Sequence, residues 1–456
     1  MQGVTLAIAA LAVVGVLALP IRYSVPIYLA ALAWYPSYLA VSIGTVDFTV
    51  SRIVILAVLA RLLVDREGVA HFRWGWVDTF VVLALAGECI AGLMTTPTGQ
   101  LLENRAGAAF DTMLPYFAVR LAVRTKEDYR ALLWSLVVIA APLALFGAYQ
   151  CWTGDNPFGF LRRFRFTGAV TSGRVLPGRR GFWRAEVTFP MSIMFGLFFA
   201  MMGPICAGLW GYTKRKGLLI AGLGLMLVGM LSSVSSGPWL AGIVACGVMA
   251  FYPLRRYWKV ALVFIVLFLA AIDVASNRRW YHVLASYSTL DAGTAYYRIG
   301  LMEEALGGGM SGHWLAGYGM VGQGGTQSFN WKHRDIVNHY ILILVRYGLL
   351  ALVPFVAAVT AGFSRLRRAL AHAVQKNARW LAWTVMAALV GILAAMFSVS
   401  LFGQPSNLFY ILLALAAGMP ALVTEGGQQK VRARAMDDFM IPARSAVRQM
   451  FPESDG

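Results

Sequence analysis

Charged side chains are scarce in this chain. Asp, Glu, Lys and Arg make up 13% of its 456 residues, against 59% hydrophobic residues. Apolar runs of 17–25 residues recur along almost the whole length, and one such run crosses a bilayer core of about 30 Å as a helix. The ten-residue alternation of a membrane β-strand is missing, which argues against a barrel. Cysteine is limited to Cys89, Cys151, Cys206 and Cys246, in or beside apolar runs and without metal-site spacing, so these read as small packing residues. No histidine pair has HxxxH or HExxH spacing, so a zinc or iron centre is not expected. No GK[ST] follows Gly317, Gly319, Gly322, Gly324 and Gly325 and no strand precedes them, which excludes a nucleotide P-loop and leaves tight turning as their role. The opening MQGVTLAIAALAVVGVLALP lacks a basic n-region and reads as a retained membrane helix. Internal repeats and low-complexity tracts are absent, and nothing calls for a cofactor.

What is present is an expected all-α, polytopic membrane protein. Apolar runs fall near 4–20, 25–44, 48–64, 77–94, 107–124, 131–152, 187–212, 217–234, 238–253, 258–275, 336–362, 380–400 and 406–424, giving about 12–13 transmembrane helices. Basic loops set the orientation. Arg66 and Arg73, Arg124 to Arg130, Lys214 to Lys216, Arg255 to Lys259 and Arg365 to Arg379 mark one side at alternating turns, the expected cytoplasmic side. The resulting organisation is 1–152 N-terminal helices, 153–186 basic external loop, 187–275 central helices, 276–335 large external loop, 336–424 C-terminal helices and 425–456 cytoplasmic tail. The +18 net charge then reports loop orientation and anionic headgroups of the bilayer, not nucleic-acid binding.

The 153–186 loop runs against the positive-inside pattern. It carries Arg162, Arg163, Arg165, Arg174, Arg179, Arg180 and Arg184 and no lysine. Guanidinium groups bind phosphate in bidentate fashion and stay charged, so a phosphate-bearing ligand is the natural partner. The second long loop contains DAGTAYYRIGLMEEALGG, whose apolar spacing predicts an amphipathic helix ended by Gly307-Gly308-Gly309. On it, Arg298 has Glu303 and Glu304 five and six residues away, neither on its own face, which frees it for a ligand or a distant carboxylate. His282, His313, His333 and His339 belong to the same external segment or its junction. His339 opens an apolar run, where a neutral imidazole can serve as base toward a sugar hydroxyl. Arg346 lies seven residues on, on the same face and about 10 Å deeper. Glu88, Asp111 and Asp273 are the acids within or near apolar runs, and Glu88 and Asp111 are expected to neutralise arginines such as Arg52, Arg120 or Arg346.

The run YYRIGLMEEALGGGMSGHWLAGYGMVGQGG followed by VNHYILILVRYGLLALV resembles the O-antigen ligase and polymerase superfamily. The likeness rests on Arg298 opening a helix, Gly317 with Gly319, Asn338 with His339, and Gly348-Leu349-Leu350, in that order. RRGFWRAEVTFPMSIMFGLFFA is similar to the family's basic loop before a membrane helix. SSVSSGPWLAG stands where many members carry Ser-Arg-Gly, here without the arginine. The resemblance implies an inverting, metal-independent glycosyl transfer from a polyprenyl diphosphate-linked glycan to an acceptor glycan, a lipid A core or a protein. Arg184 and Arg298, with Arg179 or Arg180, would hold the diphosphate, and His339 would be the base. Aligned on Gly348, the family's histidine column falls on Val337 and His339 is two positions late, so His313, His333, Glu303 and Glu304 stay open for the base. Other polysaccharide-assembly proteins are possible partners. A transporter or flippase of lipid-linked oligosaccharides is the competing reading of the same composition.

Overall fold

The computed structural model describes residues 2–43, 46–65, 69–70, 72–95, 99–165, 181–275, 282, 292–319 and 336–423. Helices dominate because long apolar segments inside a bilayer must satisfy their own backbone groups. The N-terminal part comprises α1 (Gln2–Ala18), α2 (Ser24–Trp34), α3 (Val50–Val64), α4 (Trp76–Thr95), α5 (Gly99–Asp111), α6 (Met113–Ala122) and α7 (Lys126–Thr153). The central part adds α8 (Ser192–Ala207), α9 (Lys216–Ser232), α10 (Ser236–Ala250) and α11 (Trp258–Ala275). After α12 (Ala292–Glu304) come α13 (His339–His372), α14 (Lys376–Met396) and α15 (Gln404–Val423). Seven helical segments among the described residues are long and apolar enough to cross a membrane, and α1, α9 and α10 are shorter apolar helices.

Two expected runs are corrected by the structure. The stretch 25–44 is not one helix: α2 stops at Trp34, and the chain forms an antiparallel hairpin of β1 (Ala40–Ile43) and β2 (Val46–Thr49), with Val41 opposite Phe48. Pro36 cannot continue a helix, and Val41, Ile43, Val46 and Thr49 are β-branched. The stretch 107–124 is also divided, because α5 begins at Gly99 and breaks at Thr112 before α6, with Pro115 in the first turn of α6.

Helix α8 is the centre of the bundle. It is buried along its whole length and packs against α7, α9, α10 and α14. Phe189, Phe195, Phe198 and Phe199 form an edge-to-face aromatic stack there, with centroids 5.0–5.6 Å apart. Helix α13 lies along α4 and α14, and a small residue permits the closest approach: a Cβ at Gly87 would collide with the Leu350 carbonyl. That carbonyl lacks its usual helical donor because Pro354 stands four residues on.

Several charged residues near the apolar segments are paired. Arg52 grips Asp111 through two bonds of 2.6 and 3.2 Å, and Arg120 bonds Asp78 at 2.9 Å while the Tyr116 hydroxyl donates to the same carboxylate at 2.7 Å. Glu88 pairs with Arg105, an arginine that the apolar pattern had left in a loop. Tertiary bonds also sort the turns into two ends. At one, Asn377 bonds the Gly211 carbonyl, Trp380 that of Ala207 and Trp383 that of Val248, gathering the Lys214–Lys216, Arg255–Lys259 and Arg365–Arg379 turns. The opposite end holds the segments described next.

Candidate functional site

Residues 182–191 form a non-helical strap leading into α8, exposed at Phe182 and Trp183. Ala185 through Pro190 are all buried, and their backbone groups find partners one by one. The Gln150 side chain accepts from both Glu186 N (3.0 Å) and Val187 N (2.9 Å), Ala185 N donates to the Ser232 carbonyl (3.0 Å), and Asn156 donates to the Val187 carbonyl (3.0 Å). Val187 sits at φ +52°, a left-handed conformation that a β-branched residue adopts only when its surroundings hold it there. The same strain recurs at Val234, φ +43°, in the turn that the strap touches.

That turn leads directly into Ser235-Ser236-Gly237-Pro238, at the start of α10. The Arg184 guanidinium donates to the Ser235 hydroxyl at 2.9 Å, and Ser235 in turn donates to the Ser233 carbonyl at 2.9 Å, with Ser192 Oγ 3.5 Å away. The strap thus brings a guanidinium to a Ser-Ser-Gly turn that has none of its own. Arg162 is committed elsewhere, in an ion pair with the buried Glu186, and Arg163 lies over the Phe164 ring at 4.7 Å. Burial raises the Tyr38 phenol above its ordinary range, while the Arg162 guanidinium beside it pulls the other way. Arg174, Arg179, Arg180 and His333 lie outside the described residues.

The Asn338-His339 pair opens α13. Asn338 is the N-cap, its side-chain oxygen accepting from Tyr340 N (3.0 Å) and Ile341 N (3.2 Å). His339 Nδ1 accepts from the Leu401 amide at 3.2 Å, and the ring meets Phe355 edge-on at 5.7 Å. An accepting Nδ1 puts the proton of a neutral imidazole on Nε2, so His339 presents a donor to its surroundings. His313 has the reverse arrangement. Its Nδ1 faces the Ser311 carbonyl at 2.9 Å, which places the proton there and leaves Nε2 as an acceptor. Its ring stacks on Tyr318 at 3.9 Å, and burial together with Glu304 raises that phenol, keeping it neutral.

Residues 398–401 join these pieces. Gly237 packs against Val399 and Ser398, Leu401 N bonds His339, and the Ser400 hydroxyl donates to the Ile336 carbonyl. The serine turn, to which the arginine strap is bonded, and the start of α13 therefore meet at one short segment. Arg298, 8% exposed, lies on α12, whose Leu301 packs with Met310, Ile336, Ile341 and Val345 at the start of α13. Glu303 on the same helix pairs with His282 at 2.8 Å.

Beyond its first turns α13 is broken at Gly348 (φ +62°, ψ −159°). The segment Trp314–Gly319 repairs the break: Tyr318 N donates to the Val345 carbonyl (2.7 Å) and Gly319 N to that of Arg346 (3.1 Å), while Leu349 N and Leu350 N donate to the carbonyls of Trp314 (2.8 Å) and Leu315 (3.2 Å). Four groups orphaned by the break are all satisfied. Gly317 (φ +69°) and Gly348 both have left-handed backbone, and a Cβ at Gly317 would lie 2.6 Å from the Val345 carbonyl oxygen. Two motifs distant in sequence are thus halves of one interlock. Arg346 stands at the break within electrostatic reach of both Glu88 and His339, and the Arg105 guanidinium lies 4.8 Å over the Tyr347 ring.

Sequence reasoning missed Arg105, Glu186 and Gln150. Gln150 gave a signal, as an amide closing a long apolar run. Glu186 pairs across a loop and Arg105 across two helices, so neither spacing announces a partner. No known family model and no characterised protein matches this chain at a significant level.

Proposed function

We propose that this chain is a multi-pass inner-membrane glycosyltransferase of the ligase/polymerase type, with about 12–13 transmembrane helices and its site at the end facing away from the basic loops, toward the periplasm or cell exterior. The carrying observation is the convergence of the Arg184–Ser235 contact and the Asn338-His339 start of α13 on residues 398–401. Arg184 and Arg298, with Arg179 or Arg180, hold the diphosphate of a polyprenyl-linked glycan, offering positive charge where the leaving group gains negative charge. The acceptor hydroxyl oxygen attacks the anomeric carbon, the bond to the diphosphate oxygen breaks with its electron pair leaving on that oxygen, and the configuration inverts. The hydroxyl proton passes to a base. Hydrogen bonding favours His313 Nε2 for that role and gives His339 the role of a donor at Nε2. The acceptor is a growing glycan in a polymerase or a lipid core in a ligase.

One observation favours the transporter reading, since broken helices line the substrate sites of many carriers. Against it, the backbone groups freed at Gly348 are consumed by Trp314–Gly319 and are not left to coordinate cargo. The deciding experiment incubates the purified protein in liposomes with a polyprenyl diphosphate-linked oligosaccharide and follows free carrier diphosphate and glycan length. Carrier release that is lost in Arg184→Ala, Arg298→Ala and His313→Ala supports the proposal. Intact glycan crossing the bilayer without carrier release overturns it.

A further inference from the structure

A cavity with several polar side chains in its wall lies at the same end of the bundle, beside the β-hairpin and the start of α15, and Pro190 of the strap and Phe402 also line it. It has a volume of about 260 Å³ and is bounded by Tyr38, Asp47, Arg52, Asp111, Gln404 and Asn407 among others. That is room for roughly nine waters at about 30 Å³ each, too much for a single ion and just below the range of about 300–1,000 Å³ usual for small-molecule sites.

The walls are specific about the chemistry they accept. Arg52 spends itself on Asp111 and, through Nη1, on the Asp47 carbonyl at 2.9 Å. Asn407 is likewise spent, accepting from the Tyr28 hydroxyl at 2.6 Å and donating to the Gly403 carbonyl at 3.0 Å. Gln404 is not. Its Oε1 accepts from Ser37 at 3.3 Å, but its Nε2, in a side chain 1% exposed, has no hydrogen-bond partner. A buried amide with two idle donors costs free energy unless something fills the space beside it. Asp47 supplies an acceptor: Oδ1 takes the Ser42 hydroxyl at 2.6 Å, and its second oxygen carries no bond among the described residues. Two carboxylates against one guanidinium leave a net negative charge, which repels phosphate. Donors and acceptors set side by side around a compact, anionic cavity suit a hydroxyl-rich ring, each hydroxyl of which both gives and takes a hydrogen bond.

We infer that this cavity is a monosaccharide-binding subsite, built on Gln404 and Asp47, for a neutral or amino sugar and not for the diphosphate. The inference rests on the glycosyltransferase reading only in naming that sugar as the end unit of an acceptor or donor glycan. Sugar binding itself is read directly. The test uses the full chain in nanodiscs, titrated with methyl glycosides of glucose, galactose and mannose, with N-acetylglucosamine and glucosamine, and with pyrophosphate as control, by saturation-transfer NMR. The variants are Gln404→Glu, which keeps the shape and replaces the donors by an acceptor, and Asp47→Asn, each checked for an unchanged melting profile. The expected result is saturable binding of at least one sugar, weakened at least tenfold in both variants, with pyrophosphate binding unaltered by either. No saturable sugar binding, equal binding by the variants, or loss of pyrophosphate binding in them would each overturn the inference. Sugar binding without carrier release would sink the enzyme and leave this subsite standing; carrier release without sugar binding would do the opposite.

Discussion

The interlock at Gly348 makes a quantitative prediction. Replacing Gly348 or Gly317 with alanine puts a Cβ on a left-handed residue, at about 1–2 kcal/mol, and drives it into a backbone carbonyl, at about 1–3 kcal/mol for a clash that packing cannot relieve. The chain can escape only by lifting Trp314–Gly319 away, which forfeits four backbone bonds at about 0.5–1.5 kcal/mol each. The first route costs about 2–5 kcal/mol and the second about 2–6 kcal/mol, so the outcome hardly depends on which is taken. Gly224 is the control, a helical glycine in α9 whose added Cβ would meet nothing within 4 Å. There the gain in helix propensity, up to about 1 kcal/mol, acts alone. At roughly 2 °C per kcal/mol for a large chain, Gly348→Ala and Gly317→Ala should lower the apparent Tm in detergent by about 4–10 °C, while Gly224→Ala leaves it unchanged or raises it. Tryptophan fluorescence scans at one fixed heating rate read all three. If the two interlock variants melt with wild type, α13 is continuous through residues 345–350 and the stitched break does not exist.

Three further outcomes follow from buried polar groups. Arg120→Met leaves Asp78, 1% exposed, with an uncompensated charge and should cost about 3–5 kcal/mol in a chemical-denaturation series, whereas adding Asp78→Asn recovers much of the loss. Gln150→Leu strands the Glu186 and Val187 amides, each worth about 1–3 kcal/mol when buried without a partner. It should also loosen the Arg184 strap, so that limited proteolysis cuts within 181–191 where wild type resists. Asn338→Ala removes the N-cap of α13 and should cost about 0.5–2 kcal/mol; a melting point equal to wild type would show that the cap is not formed.

Much of the helical plan was legible because it follows from local rules. Apolar run length places α7, α8, α13 and α14, and the Thr125–Asp128 capping box marks the start of α7 plainly. Gly307 to Gly309 end the Arg298 helix as their lack of side chains dictates: the helix widens over Ala305–Gly309 and Gly308 takes φ +123°. The hairpin after α2 was missed because Leu39 to Ile43 continues the preceding apolar run, although Pro36, the β-branched residues and the polar Ser42, Thr45 and Asp47 mark a change from helix. The same blindness applies to ion pairs. Asp111 was assigned to an arginine, and Arg52 is that arginine, but Glu88 meets Arg105, because helix rotation about its axis decides the partner and hydropathy does not report rotation.

The candidate site was legible as parts and illegible as an assembly, and the reason lies in how each part is held. Arg184 was singled out for being basic in a loop that should avoid basic residues, and Ser235 for standing in a turn without an arginine. Each was an anomaly by itself. The contact between them joins the two, placing the Arg184 guanidinium on the serine turn. That placement is expensive: it requires Val187 and Val234 in left-handed backbone, at about 1–3 kcal/mol each. It also needs Gln150 devoted to two amides and Glu186 buried against Arg162. A merely structural arginine needs none of this, since one that reaches the aqueous interface satisfies itself. The strain is held on both flanks of the Arg184–Ser235 contact; the proposed glycosyl transfer needs a fixed guanidinium there to meet the charge that develops on the leaving diphosphate. Strain placed there argues that the position of Arg184, and not simply its charge, is what the fold maintains.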